Sequence, residues 1–218
     1  MPTFDTPEPI SVTVELGVGD IRVVASDRSD TIVEVRPSDD AKKSDVTAAQ
    51  QTRVEYASGR LLIKAPKGWR QYTFRGGGES IDVQIDLPAG STVRGDAGVA
   101  AFHCIGRLGE CHLTTGVGEI HVDQAQAAVA AKTANGNIRL GEVAHGTILA
   151  QTGFGNVEIG VLDGVAAWLD VTTRYGNVHN SLDAAERPGA NEDAVDVRAR
   201  SSFGDITIRR ASPARTTR

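Results

Sequence analysis

Residues 60 to 78, RLLIKAPKGWRQYTFRGGG, hold Arg60, Lys64, Lys67, Arg70 and Arg75 interleaved with Trp69, Tyr72 and Phe74, with no acid before Glu79. Within a chain of net charge −5, this reversal of sign suits a loop that meets an acidic protein, an anionic polymer or a membrane surface. The triple glycine 76–78 gives it a hinge. The structural alternative is a hairpin whose rings cover an open end of the core while its charges stay solvated. Lys67, Trp69, Arg70, Tyr72, Phe74 and Arg75 are therefore one set of candidate partner-binding residues. Phe154, Tyr175 and Phe203 are the other. Each precedes a glycine in the same motif, so rings stacked at a corner would form an aromatic ladder, either self-packed or exposed as a contact stripe.

Other chemistry is poorly provided for. Gly17/Gly19, Gly116/Gly118 and Gly153/Gly155 are G-x-G pairs, but no third glycine follows at the dinucleotide spacing and no helical pattern opens there. A calcium-binding β-roll repeats about every nine residues, roughly half the period found below. His103, His121 and His179 share one slot, yet the column continues with Arg139 and Glu158 and completes no tetrahedral ligand set. A solvated outer ladder is expected there, with no metal. No carboxylate pair and no nucleophile with an aligned base can be assembled. The expectation is a protein that is not an enzyme and carries no cofactor.

The 218 residues fit one domain or two small ones, and 24 glycines against 5% aromatics and one methionine favour repetitive β-structure with a narrow core. An acidic chain is a poor general nucleic-acid binder. No stretch approaches the roughly 20 apolar residues of a membrane span. The start, MPTFDTPEPI, carries acids and early prolines in place of an apolar signal region. With Cys104 and Cys111 as the only cysteines, a cytoplasmic location is the default expectation. Both thiols fall in aliphatic columns and should be buried.

The elements that would position these residues come from an internal repeat. TGVGEIHV (115–122), TANGNIRL (133–140), TGFGNVEI (152–159), TRYGNVHN (173–180) and SSFGDITI (201–208) align on Gly118, Gly136, Gly155, Gly176 and Gly204, at spacings of 18, 19, 21 and 28. A degenerate copy at 97–104 has Ala100 in the glycine slot, and LGVGDIRV (16–23) repeats the signature around Gly19. Thr115, Thr133, Thr152, Thr173 and Ser201 recur three places before the glycine. Stacked as parallel rungs, these hydroxyls would hydrogen-bond along the stack, and the glycines would turn corners at positive φ. Asn137, Asn156 and Asn177 would form a second ladder. Pairs such as Ile138 and Leu140 share one strand face and form the core.

A second strand candidate precedes each corner, at 108–113, 127–131, 146–150, 167–171 and 195–199, leaving two or three strands per coil. The reading is an all-β, single-domain parallel β-solenoid over 10–208, with tails at 1–9 and 209–218, the latter basic. Residues 10–90 supply lead-in strands at 10–16, 31–37, 60–66 and 80–88 that cap the repeat coils of 97–208. A charged loop at 38–45 is followed by one helical turn.

N-terminal strands, a DLPAG segment (86–90) and a ladder of T-x-x-G-[DEN]-[IV]-x-[IVL] copies together resemble a large bacterial domain-of-unknown-function family of β-strand-repeat proteins with an adhesin-like label. That resemblance covers about the span 10–208 and implies a right-handed parallel β-helix-like fold without a catalytic signature. The expected function is a binding or scaffolding module whose rigid stack displays outer columns to a protein or an anionic polymer. End-to-end self-assembly of the bactofilin-like kind is the alternative, against which the charged, proline-containing termini argue. A polysaccharide-acting β-helix enzyme is the third.

Overall fold

The computed structural model describes residues 1–66, 79–182 and 194–211. Its N-terminal part comprises β1 (Thr3–Asp5), β2 (Ser11–Ser26), β3 (Asp30–Pro37), α1 (Lys43–Gln51), β4 (Arg53–Ala57), β5 (Arg60–Lys64), β6 (Ile81–Pro88) and β7 (Thr92–Leu108). Paired strands then repeat as β8 (Cys111–Val117) with β9 (Ile120–Ala125), β10 (Val129–Asn135) with β11 (Ile138–Val143), and β12 (Gly146–Phe154) with β13 (Val157–Val161). Two further pairs are β14 (Ala166–Tyr175) with β15 (Val178–Asn180), and β16 (Ala194–Phe203) with β17 (Ile206–Arg210). Among the described residues 69% are in strands, and eleven parallel strands pass nearly round an axis, as in a parallel β-solenoid.

Each repeat coil has two strands meeting at the anchor glycine. The strand before the corner runs through the threonine to the glycine, so the segments expected at 108–113 and 127–131 begin later and extend farther, as β8 and β10. Gly118, Gly136, Gly155, Gly176 and Gly204 have φ of 144°, 156°, 150°, 155° and 141°, which side chains strongly disfavour. Close stacking adds to the requirement. A Cβ on Gly136 would lie 2.0 Å from the Gly118 carbonyl oxygen of the preceding coil.

Alternation sets the core. Ile120 and Val122, Ile138 and Leu140, Val157 and Ile159, and Ile206 and Ile208 are each at most 1% exposed. Each such aliphatic side chain contributes roughly 1.5–3 kcal/mol by leaving water, which lets a narrow core hold without many aromatics. Phe102 is the largest fully buried side chain among the described residues, and Gly95 makes room for it, since a Cβ there would lie 2.3 Å from the ring.

The first coil is β2, bent at Gly19 and paired in parallel along its length with β7. On its other side lie β5 and β6, also parallel. The end is then closed by antiparallel strands: β3 on β6, β1 on β3, and β4 on β5. The lead-in thus caps the stack as expected, with two strands, β1 and β4, that the alternation did not reveal. The helix α1 spans nine residues from Lys43, longer than the single turn expected after residue 45. Asp45 holds it against the sheet end, accepting from Lys42 Nζ at 2.9 Å and from the Ser80 N–H at 3.2 Å.

The order of the last coils departs from the sequence. The β16–β17 coil lies directly on β12–β13, and the earlier β14–β15 coil stacks on its far side. The spatial order of corners is therefore Gly155, Gly204, Gly176, not the chain order the repeat spacing suggests.

Candidate functional site

Two polar ladders hold the corners of the repeat coils in register, the second of them from Gly136 onward. The hydroxyls of Thr133, Thr152, Ser201 and Thr173 donate to the carbonyls of Gly118, Gly136, Gly155 and Gly204, each in the preceding coil, at 2.8–3.0 Å. Thr115 donates to the Ala100 carbonyl, so the degenerate copy keeps the bond without the glycine. Asn137 Oδ1 accepts from the Asn156 N–H, Asn156 Oδ1 from Asp205, and Asp205 Oδ1 from Asn177, all at 2.8 Å. These bonds orient the residue just before each glycine.

That residue is the aromatic one. Phe154 and Phe203 stack with ring centroids 4.8 Å apart and planes 2° apart, and Tyr175 and Phe203 at 4.8 Å and 10°. Phe203 is the middle ring because its coil is the middle coil. The three side chains remain open to solvent along the outer edge of the stack, at 57%, 44% and 61% exposed for Phe154, Phe203 and Tyr175. Val117 and Val99 continue the same corner column on earlier coils, each 46% exposed, with Asn135 between Val117 and Phe154. The outcome is an apolar stripe along one edge of the solenoid. On the adjoining outer face, Gln151, Arg200 and Thr172 occupy one cross-strand column three places before the rings, and Lys132 continues it on the coil of Asn135.

The histidine column forms a shallow groove of about 420 Å³. His103 pairs with His121, followed by Arg139, Glu158, Thr207 and then His179, which the inverted coil order moves to the end. Burial holds His121 below its usual pKa by disfavouring the imidazolium. Burial works against the charge of Glu158, but Arg209 and Arg139, at 2.8 and 2.9 Å, outweigh it and keep that carboxyl below its ordinary range. Among the described residues no cluster of three or more His, Cys, Asp or Glu could hold a metal ion.

Cys104 and Cys111 are both buried, free thiols. Desolvation raises both, and Cys111 is pushed up to about 12. Lys67, Trp69, Arg70, Tyr72, Phe74 and Arg75 lie outside the described residues. Of the same basic segment, Lys64 pairs with Glu15 at 2.5 Å, and Arg60 borders a shallow depression with His112 and Glu110. No helix among the described residues is long and apolar enough to cross a membrane.

The end coil carries residues not singled out from the sequence. Leu169 and Val178 occupy columns that are fully buried elsewhere, yet they are 36% and 46% exposed, and Trp168 is 56% exposed. A signal was present: Asn180 stands where other coils have Val122, Leu140, Ile159 and Ile208. A polar residue in an inward column marks a terminal coil.

No protein-family model matches the chain, and no curated protein matches it. A "putative adhesin" from Bacteroides fragilis aligns over 96% of this chain and 95% of its own at 14% identity, with a TM-score of 0.44. The chain is similar, with a TM-score of 0.58 and 14% identity over 96% of this chain and 98% of the other, to a "putative cell adhesion protein" from Clostridium sporogenes, a likeness of fold.

Proposed function

We propose that the protein is a non-enzymatic, adhesin-like binding module, and that its stack presents the Phe154–Phe203–Tyr175 corner to an extended partner. The observation that carries this reading is the exposure of three parallel rings at two successive 4.8 Å steps. Rings that only completed a core would be covered. Evenly spaced ring edges offer repeated apolar contact to a polymer lying along the stack, and Arg200 on the Phe203 strand, with Lys132 on the coil next to that of Phe154, favours one that carries acid groups. The groove around His121 supports the non-enzymatic part of the reading. Glu158, the one carboxylate in the column from His103 to His179, is held ionised between two arginines and is a poor proton donor.

The test is retention of the purified protein on films of a neutral glucan, a uronate-containing polysaccharide and a fibrous protein. Retention on the uronate film, abolished in a variant carrying Phe154→Ser, Tyr175→Ser and Phe203→Ser that still shows a cooperative melt, is the expected result. Retention on no film, or retention that the triple variant keeps, overturns the proposal.

A further inference from the structure

Among the described residues, the far end of the solenoid is a free edge. Among the described residues, β14 pairs with β16 and β15 with β17, and no strand pairs with their other sides. The opposite end of the molecule is different, closed by the antiparallel strands β1, β3 and β4. A second copy therefore cannot continue the parallel stack by offering a matching first coil. What it can offer is the same β14 edge, turned through a half rotation.

Backbone polarity at that edge follows from the other coils. The N–H groups of Val93 and Cys111 donate onward, to the carbonyls of Glu110 and Ala128 in the next coil. The column of Cys111 continues through Val129, Ile148 and Val197 to Leu169. In β14, then, Leu169, Val171 and Thr173 turn N–H and C=O to the free edge, where the next coil would be. Their neighbours Trp168, Asp170, Thr172 and Arg174 point their side chains outward.

The side chains select one register. Arg174 stands in a column that is otherwise small, with Gly116, Ala134, Gly153 and Ser202 in the other coils. It is exposed, and among the described residues it makes no ion pair or side-chain hydrogen bond. Four positions earlier on the same face, Asp170 reaches Arg200 at 3.5 Å across an exposed surface, a contact that leaves its charge largely available. An antiparallel pairing centred on Thr172 places Asp170 opposite Arg174 of the second copy, twice over. Asp170 and Arg174 then form non-hydrogen-bonded pairs, the type in which side chains approach most closely. Val171 meets Thr173 in the hydrogen-bonded pairs inside them, and Leu169 meets Tyr175 in the hydrogen-bonded pairs outside them. The half-exposed Leu169 is covered by this arrangement.

We infer that a second copy of this chain docks on the β14 edge, antiparallel and about a twofold axis at Thr172, held by the two Asp170–Arg174 pairs. Being isologous, the contact closes at two copies and gives no filament. It does not depend on the adhesive reading of the aromatic corner.

The test is sedimentation equilibrium on the whole chain, alone and as variants. Wild type should show a concentration-dependent monomer–dimer equilibrium. Arg174→Asp places acids opposite acids, and Asp170→Arg places arginines opposite arginines, so each variant alone should dimerise at least tenfold more weakly. Mixed in equal amounts, the two variants should recover the wild-type association within about threefold, because every pair is again of opposite charge. Both positions are exposed, and unchanged thermal melts would show that each variant is folded. A wild type that stays monomeric overturns the inference, as does a dimer indifferent to either variant. Failure of the mixture to recover overturns the proposed register.

Discussion

Phe203 stacks on Phe154 with ring centroids 4.8 Å apart, although the whole β14–β15 coil lies between them in the chain. Its other face meets Tyr175 at the same distance, so Phe203 carries both ring contacts and each outer residue carries one. Phe203→Ala should lower stability by about 2 kcal/mol, and Tyr175→Ala by about 1 kcal/mol, at roughly 0.5–1.5 kcal/mol per aromatic pair beyond area burial. Urea unfolding of the two variants checks this. Equal losses, or a larger loss for Tyr175, would argue for stacking in chain order.

Glycines at corners and glycines in loops should respond differently to the same change. Gly136 has φ 156° and no room for a Cβ against the Gly118 carbonyl, whereas Gly164 has φ 81° and open space around it. Gly136→Ala should cost roughly 3 kcal/mol or more, since backbone strain is joined by a clash with main-chain atoms. Gly164→Ala should cost only the left-handed penalty of about 1–2 kcal/mol. Thermal melting of the pair would reveal a corner no tighter than a loop.

The threonine ladder makes a smaller and separable contribution. Thr133→Val keeps shape but removes the donor to the Gly118 carbonyl, 3.0 Å away. A loss of about 1 kcal/mol is expected in chemical denaturation. Thr133→Ser, which retains the hydroxyl, should lose less, and an indifferent Thr133→Val would remove the ladder from the account of register.

Acid should weaken the groove between β11, β13 and β17. The arginines hold the folded Glu158 carboxyl below its ordinary value of 4.5, so the unfolded chain takes up the proton more readily. Its contribution is complete above pH 4.5 and is lost as pH falls through the lowered folded value. Stability of Glu158→Gln measured against pH should fall less steeply than wild type below 4.5. Parallel profiles would assign the acid sensitivity to other carboxylates, among them Asp45 and Asp30, which are also lowered.

Cys104 and Cys111 are fully buried, with their thiolates disfavoured by desolvation, so neither should react with a thiol reagent in the native protein at neutral pH. Alkylation should track global unfolding as urea is raised. Rapid labelling before the unfolding transition would reveal local opening of the coil that holds them.

Much of this architecture is determined by local chemistry written along the chain. The threonine three places before each glycine, the glycine itself and the paired aliphatics after it specify a strand, a corner at positive φ and a second strand, because only glycine fits such a corner against the neighbouring coil. The aromatic corner is legible for the same reason, since its residues keep a constant offset from the glycine. The order of the final coils is not. A T-x-x-G rung carries the same backbone ladder and the same hydroxyl donor on every coil, so β12 can take β14 or β16 as its next neighbour at little difference in local energy. Burial decides between these arrangements. Val197, Ile206 and Ile208 need neighbours on both sides, whereas the coil holding Asn180 and Arg174 tolerates solvent on one. That choice placed Phe203 between two rings, moved His179 to the end of its column and left β14 as an edge, relationships that exist only once distant coils have packed.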